Sequence, residues 1–155
     1  IQVDFNLPSR FKLEYTDSDN EKKQPVMLHR AILGSFERFI GILTEHCAGE
    51  FPFFIAPTAV GIVPIGEAHI AYAKEIQKEL LELNIDSEVY EKNESLSKKI
   101  RIAEKQKLPM ILVLGDDEVA KRSVALRDRR AKEQKNLSLD EFIKLVKEKM
   151  SEVHF

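Results

Sequence analysis

The sequence predicts an α/β fold, in which helices alternate with the strands of a largely parallel or mixed sheet. Two apolar runs, residues 58–65 and 109–115, have the length of buried strands and are too short for core helices. Apolar residues with the helical period follow over 68–83, 96–106 and 139–150. Helices that connect strands imply crossover connections, so we expect a sheet covered by about three helices.

Shorter patterns complete this C-terminal unit. Residues 87–90 indicate a short strand, and residues 123–127 alternate in polarity as an edge strand would. Ser138 and Glu141 form a capping box, which predicts the start of the last helix. The apolar side chains expected to face the sheet from these helices are Tyr72, Ile76, Leu80, Leu83, Leu96, Ile100, Ala103, Leu139, Phe142, Ile143, Val146 and Met150.

The first fifty residues contain two predicted strands. Residues 1–7 alternate apolar and polar side chains, which is the period of a strand, and residues 25–33 form an apolar run that His29 interrupts. A lone histidine in such a run is usually a hydrogen-bonded core residue, and otherwise a ligand or a base. About fifty residues rarely bury a core of their own, so we expect residues 1–50 to be the end of a larger domain.

A tight turn and a helix follow the second run. Gly34 and Ser35 break the apolar pattern, and the Ser35 hydroxyl can cap a helix whose first turn contains Arg38. A helix N-terminus carries a partial positive charge, so an arginine there is unfavourable for stability unless it faces an anion such as a polyphosphate. The alternative is an ordinary exposed arginine paired with Glu37 or Glu45, and the spacing leaves both open.

Two prolines mark a boundary between the two parts. Pro52 and Pro57 flank an aromatic and aliphatic stretch, and each proline keeps itself and the preceding residue out of a helix. We therefore expect a linker over residues 51–57 and a second domain over residues 58–155.

Composition excludes several classes of protein. The chain is 43% hydrophobic and 32% charged, which is typical of a globular protein and not of a disordered one. A single cysteine, Cys47, excludes a disulfide framework, and with His46 alone beside it we interpret the pair as structural. Neither a membrane-spanning run nor a secretory signal is recognisable, so we expect a cytoplasmic protein with no membrane partner. No G-x-G-x-x-G follows the strand at 58–65, which argues against a dinucleotide-binding Rossmann fold.

The net charge of −2 is unevenly distributed. Residues 1–55 contain 6 basic and 8 acidic residues, whereas residues 56–155 contain 18 of each. Within the neutral part, residues 119–135 carry seven basic and two acidic residues, a local charge of +5. The basic residues are Lys121, Arg122, Arg127, Arg129, Arg130, Lys132 and Lys135. Such a stretch indicates either a phosphate-facing edge or a solvated hairpin or loop, and charge alone does not decide between them.

Several groups of residues resemble one known family. The run PVMLHRAILGSFERFIGILTEHCAG (25–49) resembles motif 3 of class II aminoacyl-tRNA synthetases. Its residues around the histidine and the Gly-Ser turn resemble those of the threonyl-tRNA synthetases in particular. FPFFIAPTAV (51–60), KIR (99–101) and GDDEV…VALRDRR (115–130) resemble the anticodon-binding domain of that family. These motifs follow one another along essentially the whole chain.

The resemblance implies roles for residues of the first part, which would be the last strands and motif 3 helix of a class II catalytic domain. His29 would be one of three zinc ligands, the other two lying upstream, in a site that recognises the amino and hydroxyl groups of threonine. Arg38 would bind the phosphates of magnesium-bound ATP and stabilise charge as threonyl-adenylate forms. Ser35 and Gly34 would shape the nucleotide site, and Gln2 would lie on an active-site strand.

The resemblance also implies how the second domain would read tRNA. Asn93, Glu118 and Arg127 match positions that hydrogen-bond anticodon bases in this family, and Arg101 matches a contact to the same loop. The basic stretch around Arg127 would attract RNA phosphates.

Taken together, the resemblance implies part of a homodimeric enzyme that activates threonine with ATP and transfers it to the 3′ end of threonine tRNA. The isolated chain would be inactive, because much of the synthetic site would lie elsewhere. The alternative is a non-catalytic RNA-binding module related to synthetase anticodon domains. Such a module has no need of His29 and Arg38 at motif 3 spacing, so we favour the enzyme.

Overall fold

Residue contacts divide the chain into two units, Ile1–Leu43 and Thr44–Phe155. The computed structural model describes residues 1–129 and 133–152, so Arg130 and Lys132 of the basic stretch lie outside the described residues. The linker and domain bounds expected from the prolines stay predictions.

The first unit contains two short antiparallel ribbons and two helices. In chain order its elements are β1 (Gln2–Asp4), α1 (Asn6–Arg10), β2 (Tyr15–Thr16), β3 (Lys22–Lys23), β4 (Met27–His29) and α2 (Phe36–His46), the last of which continues into the second unit. β1 pairs with β4 and β2 pairs with β3. Both predicted strands are shorter than expected. Asp4 ends the first, because its carboxylate accepts the N–H groups of Asn6 and Leu7 and α1 begins there.

Helix α2 begins where its sequence predicts, directly after Ser35. The Ser35 hydroxyl accepts the backbone N–H of Arg38 at 3.3 Å, which satisfies one of the unpaired donors of the first turn. Beyond its other end, Gly49 has a φ of 74° and donates its N–H to the carbonyl of Thr44 at 2.9 Å. Glycine adopts this left-handed conformation without a steric penalty, which explains its place after the helix.

The second unit is built on a five-stranded mixed sheet, as predicted. In chain order its elements are β5 (Val60–Pro64), α3 (Ile70–Glu82), β6 (Ser87–Val89), α4 (Leu96–Lys105), β7 (Met110–Leu114), α5 (Asp116–Lys121), β8 (Ser123–Asp128), β9 (Glu133–Ser138) and α6 (Leu139–Ser151), with 3-10 turns at Phe53–Ile55 and Glu67–His69. The strand order is β6-β5-β7-β8-β9. β5 is parallel to β6 and β7, whereas β7, β8 and β9 are antiparallel in turn.

Helices cover the two faces of this sheet unequally. On one face, α3 and α6 pack on β5, β7 and β8 and form the main core, with Ile76 and Phe142 fully buried. On the other face, Ala103 of α4 and the following Leu108 pack on Val63 and Ile111. The second cluster contains no residue of β8 or β9.

Three elements of the second unit differ from the sequence-based prediction. β8 is not an edge strand, because β7 lies on one side of it and β9 on the other, and β9 forms the edge. The β9 sequence EQKNLS is almost wholly polar, so it carries no apolar alternation that would predict a strand. Helix α5 was not predicted either, since its six residues are too few to show a helical period.

Candidate nucleic-acid interface

The half of the sheet formed by β8 and β9 has a polar face that the second cluster does not cover. Val124 and Leu126 point into the main core, so the alternate residues point to the opposite side. We call this surface the open face, and it consists of Ala125, Arg127, Gln134 and Asn136. Ala125 and Arg127 are half-buried, and the two amides are exposed. A guanidinium and two amides on an accessible sheet suit the edges of unpaired bases.

A groove lies beside Arg127 on this side of the sheet. It has a volume of about 400 Å³, and the buried side chains of Leu108 and Ile111 contribute apolar surface to it. Polar lining comes from Arg127 and the following Asp128 and Arg129, from Gln134, which is the direct partner of Arg127 on β9, and from Glu104 of α4. The Arg127 Nη1 atom lies 3.9 Å from Glu104 Oε1, so their ion pair is longer than a direct hydrogen bond.

Asn93 and Glu118 lie at a second position, the carboxyl edge of the parallel strands. Asn93 is exposed in the loop after β6, and Glu118 is half-buried in α5, directly after β7. The Oε2 atom of Glu118 accepts the N–H of Gly115 at 2.9 Å. Glu118 therefore caps its own helix with one carboxylate oxygen.

The structure brings Asn93 and Glu118 to one edge of the sheet and sets Arg127 apart from them. Arg127 stands opposite Ile111, near the amino end of β7, whereas Glu118 follows the carboxyl end at Leu114. At about 3.3 Å per residue, the backbone position of Arg127 lies about 10 Å along β7 from the carboxyl end of that strand.

Arg101 is exposed on α4, between these two ends. It precedes Glu104 by three residues, so the two side chains share one face of the helix. Arg101 therefore lies on the side of α4 that carries the wall of the groove.

His69 is a buried polar residue that the sequence analysis did not single out. It is 7% exposed, its Nδ1 accepts the N–H of Gly66 at 3.0 Å, and its Nε2 lies 3.0 Å from Asp116 Oδ1. With Nδ1 accepting, neutral His69 donates from Nε2 to Asp116. The side chain thus ties the turn after β5 to the start of α5. Its signal in the sequence was the histidine three residues after a glycine in GEAH, directly after a predicted strand.

Glutamates of the same unit neutralise part of the basic stretch. Arg122 donates to Glu75 at 2.6 Å, and this hydrogen bond raises the pKa of Arg122. Arg129 donates to Glu50 at 2.8 Å. The positive electrostatic potential that the basic stretch presents to an RNA is therefore weaker than its formal charge of +5 suggests.

In the first unit, His29 pairs with an acidic residue. His29 stands opposite Gln2 in the β1–β4 ribbon, and its Nε2 lies 3.0 Å from Asp4 Oδ2. Hydrogen bonds from the N–H groups of Leu7 and Asn6, together with His29, keep the pKa of Asp4 below its ordinary value. Metal-binding histidines commonly donate their second ring nitrogen to a carboxylate, so the His29–Asp4 pair fits a single zinc ligand. Among the described residues, no group of three histidine, cysteine or acidic side chains could hold a metal, so these residues do not make a zinc site by themselves.

Gly34, Ser35 and Arg38 lie together at the start of α2. Gly34 has a φ of 72°, and a side-chain carbon placed on it would meet no atom within 4 Å. Its glycine is therefore required by backbone conformation and not by space within this unit. Arg38 is exposed, so its guanidinium is available to an anion at this helix terminus.

Comparisons with known proteins match both parts of the chain. Residues 59–149 match the family model described as anticodon binding domain, which is more than half of the chain. The chain belongs to this anticodon-binding domain family. Residues 1–47 match the tRNA synthetase class II core domain of the G, H, P, S and T enzymes.

Similar proteins agree with this assignment. The chain is 99% identical over all 155 residues to the threonine–tRNA ligase of Campylobacter jejuni subsp. jejuni and 82% identical to that of Campylobacter lari. It covers 26% of the length of each of these relatives. The crystal structure of the RNA binding domain of threonyl-tRNA synthetase from Cryptosporidium parvum Iowa II matches with a TM-score of 0.79 and 35% identity, over 95% of this chain and 38% of that one. The resemblance to threonyl-tRNA synthetases is thereby confirmed.

None of the helices described over residues 1–129 and 133–152 has the length and apolar character needed to cross a bilayer.

Proposed function

We propose that this chain supplies anticodon recognition and the motif 3 part of the synthetic site to a threonine–tRNA ligase. The observation that carries the proposal is the open face with Arg127, in a domain of the anticodon-binding family. Single-stranded bases can be splayed onto such a surface and read along their edges. Arg127 and Glu118 read bases from opposite ends of β7, Asn93 adds an amide beside Glu118, and Arg101 contacts the same loop.

In the same proposal, the start of α2 binds the nucleotide. Arg38 holds the phosphates of ATP, which enters with magnesium, and stabilises the charge that develops as threonyl-adenylate forms. Gly34 and Ser35 shape the turn beneath the nucleotide, and Gln2 lies on the neighbouring active-site strand.

We further propose that His29 supplies one ligand to a zinc ion, which when bound would recognise the amino and hydroxyl groups of threonine. Asp4 would hold the imidazole in the orientation needed for ligation. The partners of the whole enzyme would be threonine, ATP, threonine tRNA and a second subunit, and it would work in the cytoplasm. The support is the 99% identity to a threonine–tRNA ligase over these residues.

The test uses the full-length Campylobacter jejuni enzyme, because residues 1–155 cover only 26% of it. We expect Arg38→Ala to lower threonine-dependent exchange of pyrophosphate into ATP by about a hundredfold or more, as loss of one charge-stabilising donor does. Affinity for threonine tRNA should stay within about twofold, because the anticodon is read in the other unit. Arg10→Ala, at an exposed arginine of α1, is the matched control and should change neither quantity. Normal exchange together with lost tRNA binding would refute the role given to Arg38.

A further inference from the structure

The turn that follows α2 is fixed to the end of that helix. The N–H of Gly49 bonds to the carbonyl of Thr44 at 2.9 Å. The N–H of Ala48 bonds to the carbonyl of Glu45 at 3.0 Å. Both acceptors lie in the last turn of α2, which already belongs to the second unit. We call residues 47–50 the junction turn, and whatever holds it in place also holds the end of α2.

Two cations of the second unit bind the junction turn. The ammonium of Lys107, two residues after α4, donates to the carbonyl of Ala48, and its Nζ lies 4.0 Å from Glu50 Oε1. The guanidinium of Arg129, directly after β8, donates from Nη2 to the same Glu50 oxygen at 2.8 Å. A single carboxylate of the turn therefore faces two cations that come from different segments of the chain.

Arg129 is in turn fixed to the sheet and to α4. Its backbone N–H donates to the carbonyl of Pro109 at 3.0 Å, and its Nη1 donates to the carbonyl of Glu104 at 3.3 Å. Its side chain is 33% exposed, and both terminal nitrogens of the guanidinium already bond within the protein. Arg129 therefore joins the junction turn to the domain, although its sequence position places it in the basic stretch.

Apolar packing attaches the chain beside the junction turn at one point only. Phe53 is buried in the main core, and a single attachment leaves the turn free to pivot. A cavity of about 290 Å³ is lined by Glu50 from the turn and by Met110 from β7, so close-packed side chains do not fill this space. The other titratable groups that line it are His46, Lys107, Asp128, Arg129, Lys149 and Glu152. The contacts of Lys107 and Arg129 are additional attachments, which remove the freedom to pivot.

We propose that Arg129 and Lys107 are positioning residues for the transfer of threonine to tRNA. The inference rests on the proposed function, in which the start of α2 carries Arg38 and the sheet carries Arg127. Adenylate formation needs only the first of these, whereas charging a tRNA whose anticodon lies on the sheet needs both in a fixed relation. The two cations touch neither substrate and act through the junction turn.

The transfer step depends on where the whole tRNA is held. A ribose hydroxyl at the 3′ end of the tRNA attacks the carbonyl carbon of threonyl-adenylate. An ester bond forms at that carbon, its bond to the phosphate oxygen breaks, AMP leaves and the hydroxyl proton is released. A misplacement of about 1 Å can lower the rate of such a step about a hundredfold. Loosening the junction turn therefore slows the transfer and leaves adenylate formation unchanged.

The experiment uses the full-length Campylobacter jejuni enzyme and compares pyrophosphate exchange into ATP, charging of threonine tRNA and affinity for the threonine anticodon stem-loop. We expect Arg129→Ala to lower kcat for charging about threefold to fivefold, the factor that one partly exposed ion pair supplies. Lys107→Ala combined with Arg129→Ala should lower it about tenfold or more. The KM for tRNA, the exchange rate and the stem-loop affinity should stay within a factor of about 1.5, because each substrate keeps its own contacts.

A Glu50 variant tests whether the cations act through the turn. Glu50→Ala should reproduce the loss seen in Arg129→Ala, and combining the two should lower charging little further, because both remove the same ion pair. The matched control is Lys74→Ala. Lys74 is an exposed lysine of α3 that lies 3.0 Å from Glu91, beyond the carboxyl end of β6, and its removal should change none of the measured quantities.

Three results would overturn the inference. Stem-loop affinity that falls in Arg129→Ala as far as charging does would make Arg129 an RNA contact. Exchange that falls in parallel with charging would place the effect within the synthetic site. Charging that falls no further in the double variant than in Lys74→Ala would leave the junction turn without a role. A wild-type enzyme that charges a tRNA with a replaced anticodon equally well would instead refute the proposed function, and this inference with it.

Discussion

Gly61 provides a sharp test of how α4 packs on the sheet. A β-carbon at this position of β5 would lie 2.7 Å from Leu108 Cδ1 and 3.2 Å from Tyr90 Cε2, and both neighbours are buried. Distances that short force a neighbour to move. We therefore expect Gly61→Ala to destabilise the second unit, even though alanine is otherwise favoured over glycine within a strand.

The size of the effect follows from two opposing contributions. Overpacking a filled core costs about 1–3 kcal/mol, and replacing glycine within a strand recovers roughly 0.5–1 kcal/mol. The free energy of unfolding should therefore fall by about 0–2.5 kcal/mol, with a central value near 1 kcal/mol. Leu108→Ala alone should cost about 2–5 kcal/mol. In that background the closest contact is gone, so adding Gly61→Ala should be close to neutral and the two changes should be coupled by about 1–2 kcal/mol.

The assay must report on the second unit, because residue contacts divide the chain in two. Urea-dependent amide hydrogen exchange of β5 and β7 does so. Gly66→Ala is the control, since a β-carbon there would meet only the His69 ring at 3.8 Å, an ordinary contact, and its effect should stay within about 0.5 kcal/mol. Additive effects of Gly61→Ala and Leu108→Ala would refute the packing of α4 described above.

Three further predictions concern hydrogen bonds within the second unit. Ser138→Ala should lower its free energy of unfolding by about 1 kcal/mol, because the hydroxyl caps α6 by accepting the N–H of Glu141. Hydrogen bonds from the backbone N–H and the hydroxyl of Ser138 lower the pKa of Glu141. In urea titrations across pH, Glu141→Gln should therefore lose its full share of stability above the ordinary pKa of 4.5, and this loss should vanish as the pH falls through the lowered pKa. His69→Leu leaves the N–H of Gly66 without its acceptor and should cost about 1–3 kcal/mol by the same titration, and His69→Gln, which keeps an acceptor, should cost less. Equal losses of stability in the two His69 variants would contradict the bond between His69 and Gly66. A Glu141→Gln effect that does not depend on pH would contradict the bonds between Ser138 and Glu141. An unchanged free energy of unfolding in Ser138→Ala would contradict the helix cap.

Much of the second unit could be predicted because its elements carry strong local signals. β5 and β7 are apolar runs buried in the sheet, and the alternation of buried residues in α3 follows its sequence period. The capping box at Ser138 fixed the start of α6 to the residue. These signals depend on neighbours within a few positions, so a single sequence contains them.

What could not be predicted depends on pairing between distant segments. β9 is a strand because β8 pairs with it, not because its own polar sequence favours one. The position of β8 inside the sheet followed from that pairing. In the first unit, Asp4 ends β1 by bonding to the backbone ahead of it, a local competition that the alternation of residues 1–7 conceals.

The candidate site also combines features that the sequence could predict with features that it could not. The base-reading roles of Asn93, Arg101, Glu118 and Arg127 came from a resemblance and not from the spacing of these residues, and they stay predictions. The sequence could not place Arg127 about 10 Å from the carboxyl edge, because that separation is set by the register of β8 on β7. It also could not show that Glu118 caps α5, which makes Glu118→Gln a better test of base reading than Glu118→Ala.

Our central claim is that this chain reads the anticodon. The most direct test is to measure the affinity of the chain for the threonine anticodon stem-loop and for the same stem-loop with its anticodon replaced, at about 50 mM and about 200 mM salt. Contacts to phosphates alone make binding sensitive to salt and blind to sequence. We predict that replacing the anticodon weakens binding at both salt concentrations and that Arg127→Ala removes most of this preference. Equal affinity for the two RNAs, with the same dependence on salt, would mean that only the basic hairpin is at work and would contradict anticodon reading by this chain.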